Sequence, residues 1–205
     1  MKYLSIDVET TGLNPNRCQI LEFGAIYDDL SKPFSERKTF QYYFYHEQLR
    51  GDIIAFDMNK EIISIITNKI KEIKKGIQHT DLARPEEFSQ VLSEWLYDVI
   101  DPKEPDDFKL NIAGKNVAGC DLNFLEMLPG FSREGSSLSF DKWKTRARCI
   151  DPAILYYKKE DICLPDLQTC IKRATSNELG VSHRAIEDAE KVCCLIRYKL
   201  VGYVE

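Results

Sequence analysis

The segment Asp7-Val8-Glu9-Thr10-Thr11-Gly12-Leu13 closes the first apolar stretch of the chain with two carboxylates two residues apart. Before it, Leu4, Ile6 and Val8 alternate with Ser5, Asp7 and Glu9. That is the period of a β-strand, in which every second side chain shares a face. Asp7 and Glu9 are therefore expected to project together, just ahead of a turn at Gly12. Two carboxylates held side by side repel unless something positive stands between them. A hard divalent cation, which takes oxygen ligands, would meet that need. A solvated strand end carrying two acids is the alternative, and this segment alone does not separate the two readings.

Composition narrows the class of protein. A chain of 205 residues has room for one domain, 1–205, with a full-sized core. Its apolar fraction of 43% is ordinary for a globular protein. The net charge of −5 argues against a broad basic surface gripping long nucleic acid. It leaves room for a short strand end held in a small site. Seven cysteines run from Cys18 to Cys194 without a Cys-x-x-Cys pair, a pattern of neither a disulfide framework nor a zinc site. They read as reduced thiols in a cytoplasmic protein. Asp7 and Glu9 interrupt any signal-peptide pattern, and no apolar run is long enough to span a bilayer. No membrane partner is expected; monomer and homodimer both stay open.

Residues 2–9, 19–28 and 39–46 read as three strands, separated by turn signals such as Asn14-Pro15-Asn16 and Lys32-Pro33. Short connections suggest an antiparallel meander. Ile62, Ile66, Ile70 and Ile73 then recur at helical spacing within 60–75. Pro85 opens a second helix whose stripe is Phe88, Val91, Leu92, Trp95, Leu96 and Val99. Residues 101–107 read as a polar loop and 108–113 as a fourth strand. A short helix over 121–128 stops at Pro129-Gly130, and a fifth strand follows near 148–151. Helices near 166–174 and 185–200 finish the chain. Strands first, then strands alternating with helices, predict an α/β fold. Its mixed five-stranded sheet, antiparallel in the first three strands, is flanked by helices.

Two more acids and one histidine need an account. Asp121 opens a predicted helix, where an aspartate is a good cap. Asp188 lies beside Ala189, with Ala185 and Val192 three and four positions away, which sets it at the edge of the buried helix face. His183 precedes that helix closely enough to swing over the same region; a polar surface histidine is the plain alternative. Lys142-Trp143-Lys144-Thr145-Arg146-Ala147-Arg148 combines four positive charges with an indole. That mixture suits phosphates and base stacking, and equally a solvated loop over a partly buried Trp.

In order, Asp-x-Glu-Thr-Thr-Gly-Leu, Asp121-x-x-Phe-Leu and His183-x-x-x-x-Asp-Ala resemble the three motifs of the DEDDh group. These are the DnaQ-like 3′–5′ exonucleases of the ribonuclease-H-like superfamily, which include the proofreading subunit of bacterial DNA polymerase III, ribonuclease T and oligoribonuclease. The resemblance covers nearly the whole chain. It implies a ribonuclease-H-like fold and hydrolysis of single-stranded RNA or DNA from the 3′ end, releasing nucleoside 5′-monophosphates. Asp7, Glu9, Asp121 and Asp188 would be the metal ligands for two divalent ions, Mg²⁺ or Mn²⁺, set about 3.5–4 Å apart in such sites. His183 would be the general base, a role suited to a side chain whose ordinary pKa is ~6.5. Thr10, Thr11, Gly12, Leu13, Asn123 and Phe124 would contact substrate, with Leu13 against the terminal base; ordinary core packing is the alternative for Leu13. The second motif departs from the commoner pattern. Gly114-Lys115-Asn116-Val117-Ala118-Gly119-Cys120-Asp121 is more similar to oligoribonuclease, and so is Arg146-Ala147-Arg148-Cys149-Ile150-Asp151. Both tilt the reading toward short oligonucleotides. A DNA proofreading or repair exonuclease, and a catalytically weak nucleic-acid-binding module of the same fold, are the competing readings.

Overall fold

The computed structural model describes residues 1–100, 108–175 and 183–202, so the polar loop expected at 101–107 lies outside the described residues. Strand β1 (Lys2–Thr10) pairs antiparallel with β2 (Ile20–Asp29), which pairs antiparallel with β3 (Lys38–Phe44), the meander that the short connections predict. Register sets Gly24 opposite Asp7 and Glu22 opposite Glu9. Two short parallel strands complete the mixed sheet. β4 (Leu82–Ala83) flanks β3, and β5 (Ile112–Ala113) flanks β1, giving the order β4-β3-β2-β1-β5.

The structure corrects two expectations. The strand expected over 108–113 is reduced to β5, while Leu110 bridges to Thr145 outside it. Residues 148–151 contribute one bridge, Ile150 to Ala113, rather than a strand. The fifth strand comes instead from β4 at the opposite edge, held by Tyr43 N–H to Asp81 O (2.9 Å) and Tyr45 N–H to Ala83 O (2.8 Å). A two-residue strand has no period to read. A second, three-stranded antiparallel sheet was also not anticipated: β6 (Phe131–Glu134), β7 (Ser137–Phe140) and β8 (Trp143–Lys144). Its β6–β7 turn uses Gly135 at φ +61°, a left-handed conformation that favours glycine.

Helices cover both faces of the large sheet. Leu4, Ile6 and Phe23 face α3 (Phe88–Val99), α4 (Asp121–Glu126) and the small sheet through Phe88, Leu92, Leu122, Leu125, Phe140 and Trp143. Tyr3 and Ile26 face the other way. They pack against α5 (Pro152–Leu155), α6 (Leu167–Thr175) and α7 (Ala185–Leu200) through Ala153, Ile171, Ala189, Val192, Cys193 and Ile196. Leu21 and Tyr43 form a smaller cluster with Ile62 and Ile66 of α2 (Lys60–Ile73), which follows the short α1 (Ile53–Met58). Alternation along β1 therefore puts Tyr3 and Ser5 under α7, and Asp7 and Glu9 continue that row. Ser5 Oγ donates to Ala189 O at 2.9 Å, fixing the row against the helix.

The sheet and α7 approach closely at Gly24. A Cβ there would stand 2.3 Å from both Ala185 C and Ile186 N, so only glycine admits the first turn of α7. The far end of the helix is held by a buried ion pair. Arg197 Nη2 and Nε donate to Asp28 Oδ1 and Oδ2 at 2.6 and 2.9 Å, and Tyr3 OH donates to Asp28 Oδ2 at 2.7 Å. All seven cysteines are free thiols. Among the described residues no helix is long and apolar enough to cross a membrane.

Candidate metal centre

β1 delivers Asp7 and Glu9, and the first turn of α7 delivers Asp188. One carboxylate oxygen from each lies within 4.8 Å of the others. Asp188 is buried, as its edge position on the apolar helix face predicts. Asp121, also buried, arrives from α4, which packs against β1. Cys120 holds the cap position of that helix, and Asp121 is its first residue. Its Oδ1 accepts the Val8 N–H at 3.0 Å, a bond to β1 between the other two acids. Capping is therefore not what holds Asp121 in place. It lies outside the trio of converging oxygens, yet its charge acts on Asp7 more strongly than that of Glu9, Asp188 or Glu22.

This arrangement resists ionisation. Burial, then the charges of Asp121, Glu9, Asp188 and Glu22, hold the Asp7 carboxyl well above its ordinary range. Burial, then Asp188, Glu22 and Asp121, push Glu9 up to about 8, against the opposing pull of Arg184. Burial raises Asp121 to about 7, opposed by hydrogen bonds from its own N–H and that of Val8. Like charges gathered out of water favour the neutral form until a cation arrives. The donors are all oxygen, three of them converge, and once ionised they would carry excess negative charge, so they fit a hard divalent ion such as Mg²⁺ or Mn²⁺. Burial and the neighbouring acids raise the Cys120 thiol to about 11, which keeps it protonated and a poor ligand.

Glu22 and Arg184 form a second feature that sequence reasoning missed. Glu22 is fully buried near the start of β2, within the apolar run that precedes Asp28. Arg184 Nε lies 3.3 and 3.2 Å from its two carboxylate oxygens, and Nη2 donates to Oε1 at 3.0 Å and to Tyr43 OH at 2.6 Å. Gln41 Nε2 and the Ala185 N–H also donate to Glu22. The loop entering α7 is thereby tied to β2 and β3 directly beside Glu9. The visible signal was a lone glutamate inside Ile20-Leu21-Glu22-Phe23; its partner lies far along the chain. His183, next to Arg184, is exposed at φ +49° and is not one of the converging trio.

The turn after β1 is tightly organised. Thr10 Oγ1 donates to Gly12 O at 2.7 Å. Thr11 is fully buried; its hydroxyl donates to Arg50 O at 2.5 Å and accepts the Gln19 N–H at 2.8 Å. Gly12 stands at φ +150°, where a Cβ would meet Asp52 Oδ2 at 2.4 Å and Cys18 Sγ at 2.7 Å. Leu13 is 87% exposed, so core packing does not explain it. Phe124, expected against substrate, packs inside the core. Asn123 is engaged internally, donating to Gly119 O at 2.7 Å and accepting from Arg133. Trp143 is also buried and donates to Ser93 Oγ at 2.9 Å, which removes it from base stacking and leaves Lys142, Arg146 and Arg148 as exposed charges. Asn116, at φ +56°, donates its N–H to Asp151 Oδ2 at 2.9 Å and shapes the turn before α4.

No family model and no curated protein matches the chain. Among solved structures, the crystal structure of a full-length 3′-exonuclease superposes with a TM-score of 0.58 at 16% identity, over 98% of this chain and 82% of that one. At that identity the likeness is one of fold: a ribonuclease-H-like mixed sheet flanked by helices.

Proposed function

We propose that the protein is a metal-dependent 3′–5′ exonuclease of the DEDDh type. It acts on single-stranded nucleic acid, short oligonucleotides foremost, and releases nucleoside 5′-monophosphates. The observation that carries this reading is the convergence of Asp7, Glu9 and Asp188 within 4.8 Å, with Asp121 fixed to the backbone between the first two. The 3′-exonuclease among the solved structures of the same fold supports it.

Asp7, Glu9, Asp121 and Asp188 are the residues that would hold the ions. When bound, divalent ions supply the acidity that makes water a nucleophile at neutral pH and the positive charge that a departing oxygen needs. The protein's own groups do the rest. The four carboxylates would hold the ions in place and offset their charge. An imidazole nitrogen of His183 takes a proton from the attacking water. Water adds to phosphorus, the bond to the 3′ oxygen of the preceding nucleotide breaks, and that oxygen takes a proton from solvent, leaving the shortened strand with a 3′-hydroxyl. The Thr10–Gly12 turn presents backbone to the terminal nucleotide, and exposed Leu13 covers its base.

The test is a time course on 5′-labelled RNA and DNA oligomers of several lengths, with Mg²⁺, Mn²⁺ or chelator. The expected outcome is a ladder shortening by single nucleotides, arrested by chelator and restored by metal. Undiminished hydrolysis after verified metal removal would discard the mechanism, and internal cleavage would discard the exonuclease. The RNA and DNA arms separate a short-oligoribonucleotide enzyme from a proofreading or repair enzyme.

A further inference from the structure

One carboxylate of the cluster already carries a cation belonging to the protein. Lys191 lies one turn beyond Asp188 on α7, and its Nζ stands 2.8 Å from Asp188 Oδ1. The same carboxylate belongs to the converging trio with Asp7 and Glu9. The contact is not a loose surface pair: the two side chains are 20% and 9% exposed. Pairs at this helical spacing contribute little when solvated, but a desolvated pair beside three further carboxylates feels a much stronger field. An ammonium is compact and carries no lone pair when charged, so it can neutralise Asp188 without acting as a ligand.

We propose that Lys191 is an internal counter-ion for the metal centre, and that loading Asp188 is an exchange of the Lys191 ammonium for the incoming ion. The inference rests on reading the cluster as a metal centre. It has two consequences that a helix-stabilising pair would not have. First, the ammonium lowers affinity for the ion that Asp188 holds, both by occupying an oxygen and by repelling a dication. Second, the released ammonium stays tethered to α7 one turn beyond Asp188, available to a phosphate of the bound strand. The site would then hold its full complement of ions most firmly when substrate is present to take up that charge.

The experiment is equilibrium Mn²⁺ binding to the full chain without substrate, followed by calorimetry and by the electron paramagnetic resonance signal of free Mn²⁺. Lys191→Met keeps the length of the stem and removes the charge. It is expected to bind Mn²⁺ on the order of tenfold more tightly than the parent, the direction set by loss of one competing charge at short range. Lys191→Arg, which keeps the charge, should stay near the parent. Affinity in Lys191→Met that is unchanged or weaker, with the circular dichroism of the parent, would overturn the proposal and reduce the pair to a helix support. Lys191→Gln is read the same way should the methionine variant fail to fold. A parent that binds no Mn²⁺ at all would overturn both this proposal and the metal-centre reading. A parent that binds Mn²⁺, with no tightening in the variants, overturns this one alone.

Discussion

Asp7 is the residue at which the conflict between folding and chemistry is sharpest. It is placed by β1, faces Gly24 across the strand pair, and is surrounded by Glu9, Asp121, Asp188 and Glu22. Replacing it with asparagine preserves shape and removes charge. Asp7→Asn is therefore expected to abolish single-turnover hydrolysis and weaken Mn²⁺ binding, while the metal-free protein melts no lower than the parent. A clear loss of Tm in that variant would mean that the carboxylate stabilises the fold rather than straining it. His183 makes a contrasting case. It is exposed and adds no ligand oxygen, so His183→Ala should leave Mn²⁺ affinity near the parent value and lower the single-turnover rate on the order of 10²–10⁴-fold, the usual contribution of general-base catalysis. A parent-like rate at every pH around neutrality would assign the proton transfer elsewhere. The convergence of Asp7, Glu9 and Asp188 was legible because a strand face or a helix edge turns each of them inward, whereas Asp121 read locally as a helix cap and was set beside them only by the resemblance. Glu22–Arg184 and Lys191–Asp188 were not. Glu22 and Arg184 are far apart in sequence, and Asp188 and Lys191 have the spacing of any charged pair on a solvated helix.

At the scale of elements, the position of α7 governs where Asp188 stands. The helix touches the sheet at Arg184–Glu22, at Ala185 over Gly24, at Ala189 over Ser5, and at Arg197–Asp28. Three of these are hydrogen-bonded; the contact at Gly24 is simple closeness, and that makes it the most informative to perturb. A methyl group at Gly24 has no flexible side chain to push aside, only backbone. Gly24→Ala should displace the first turn of α7, cost about 1–3 kcal/mol as overpacked interiors do, and weaken Mn²⁺ binding along with stability. A lower Tm with parent-like Mn²⁺ affinity would show that Asp188 is placed independently of this contact. The long elements were readable in advance for physical reasons. β1 alternates, β2 and β3 are long runs rich in apolar and aromatic residues between turn signals, and α7 keeps a buried apolar stripe from Ala185 to Ile196. β4 and β5, two residues each, have no period, and β6 to β8 mix Ser, Arg and Glu with core residues in strands of two to four. Such strands exist because neighbours already in place offer them backbone partners, which no local pattern records.

For the whole molecule, the acidic centre couples folding, pH and metal. Asp7, Glu9 and Asp121 all have their proton affinity raised by burial and mutual repulsion, Glu9 to about 8 and Asp121 to about 7. The unfolded chain releases those protons in the ordinary carboxylate range, whereas the folded chain keeps them to higher pH. Between these limits the folded state binds more protons than the unfolded state. Stability of the metal-free protein must then fall as pH rises, with the loss concentrated between about 4 and about 8. A divalent ion reverses the sign of the problem, because it binds the ionised carboxylates and displaces their protons. Thermal unfolding in chelator should therefore show Tm declining from mildly acid to mildly alkaline pH. Saturating Mg²⁺ or Mn²⁺ should raise Tm little at the acid end and much more at the alkaline end, since ligand stabilisation grows with affinity and affinity grows with deprotonation. A chelated protein whose Tm rises over the same interval would show the carboxylates ionised and satisfied without an ion. A metal increment independent of pH would show that the ion binds elsewhere. The net charge of −5 pushes the same way over the whole surface but is screened by salt. Repeating the scans at high ionic strength therefore separates that diffuse repulsion from the buried cluster, whose share of the pH dependence should persist.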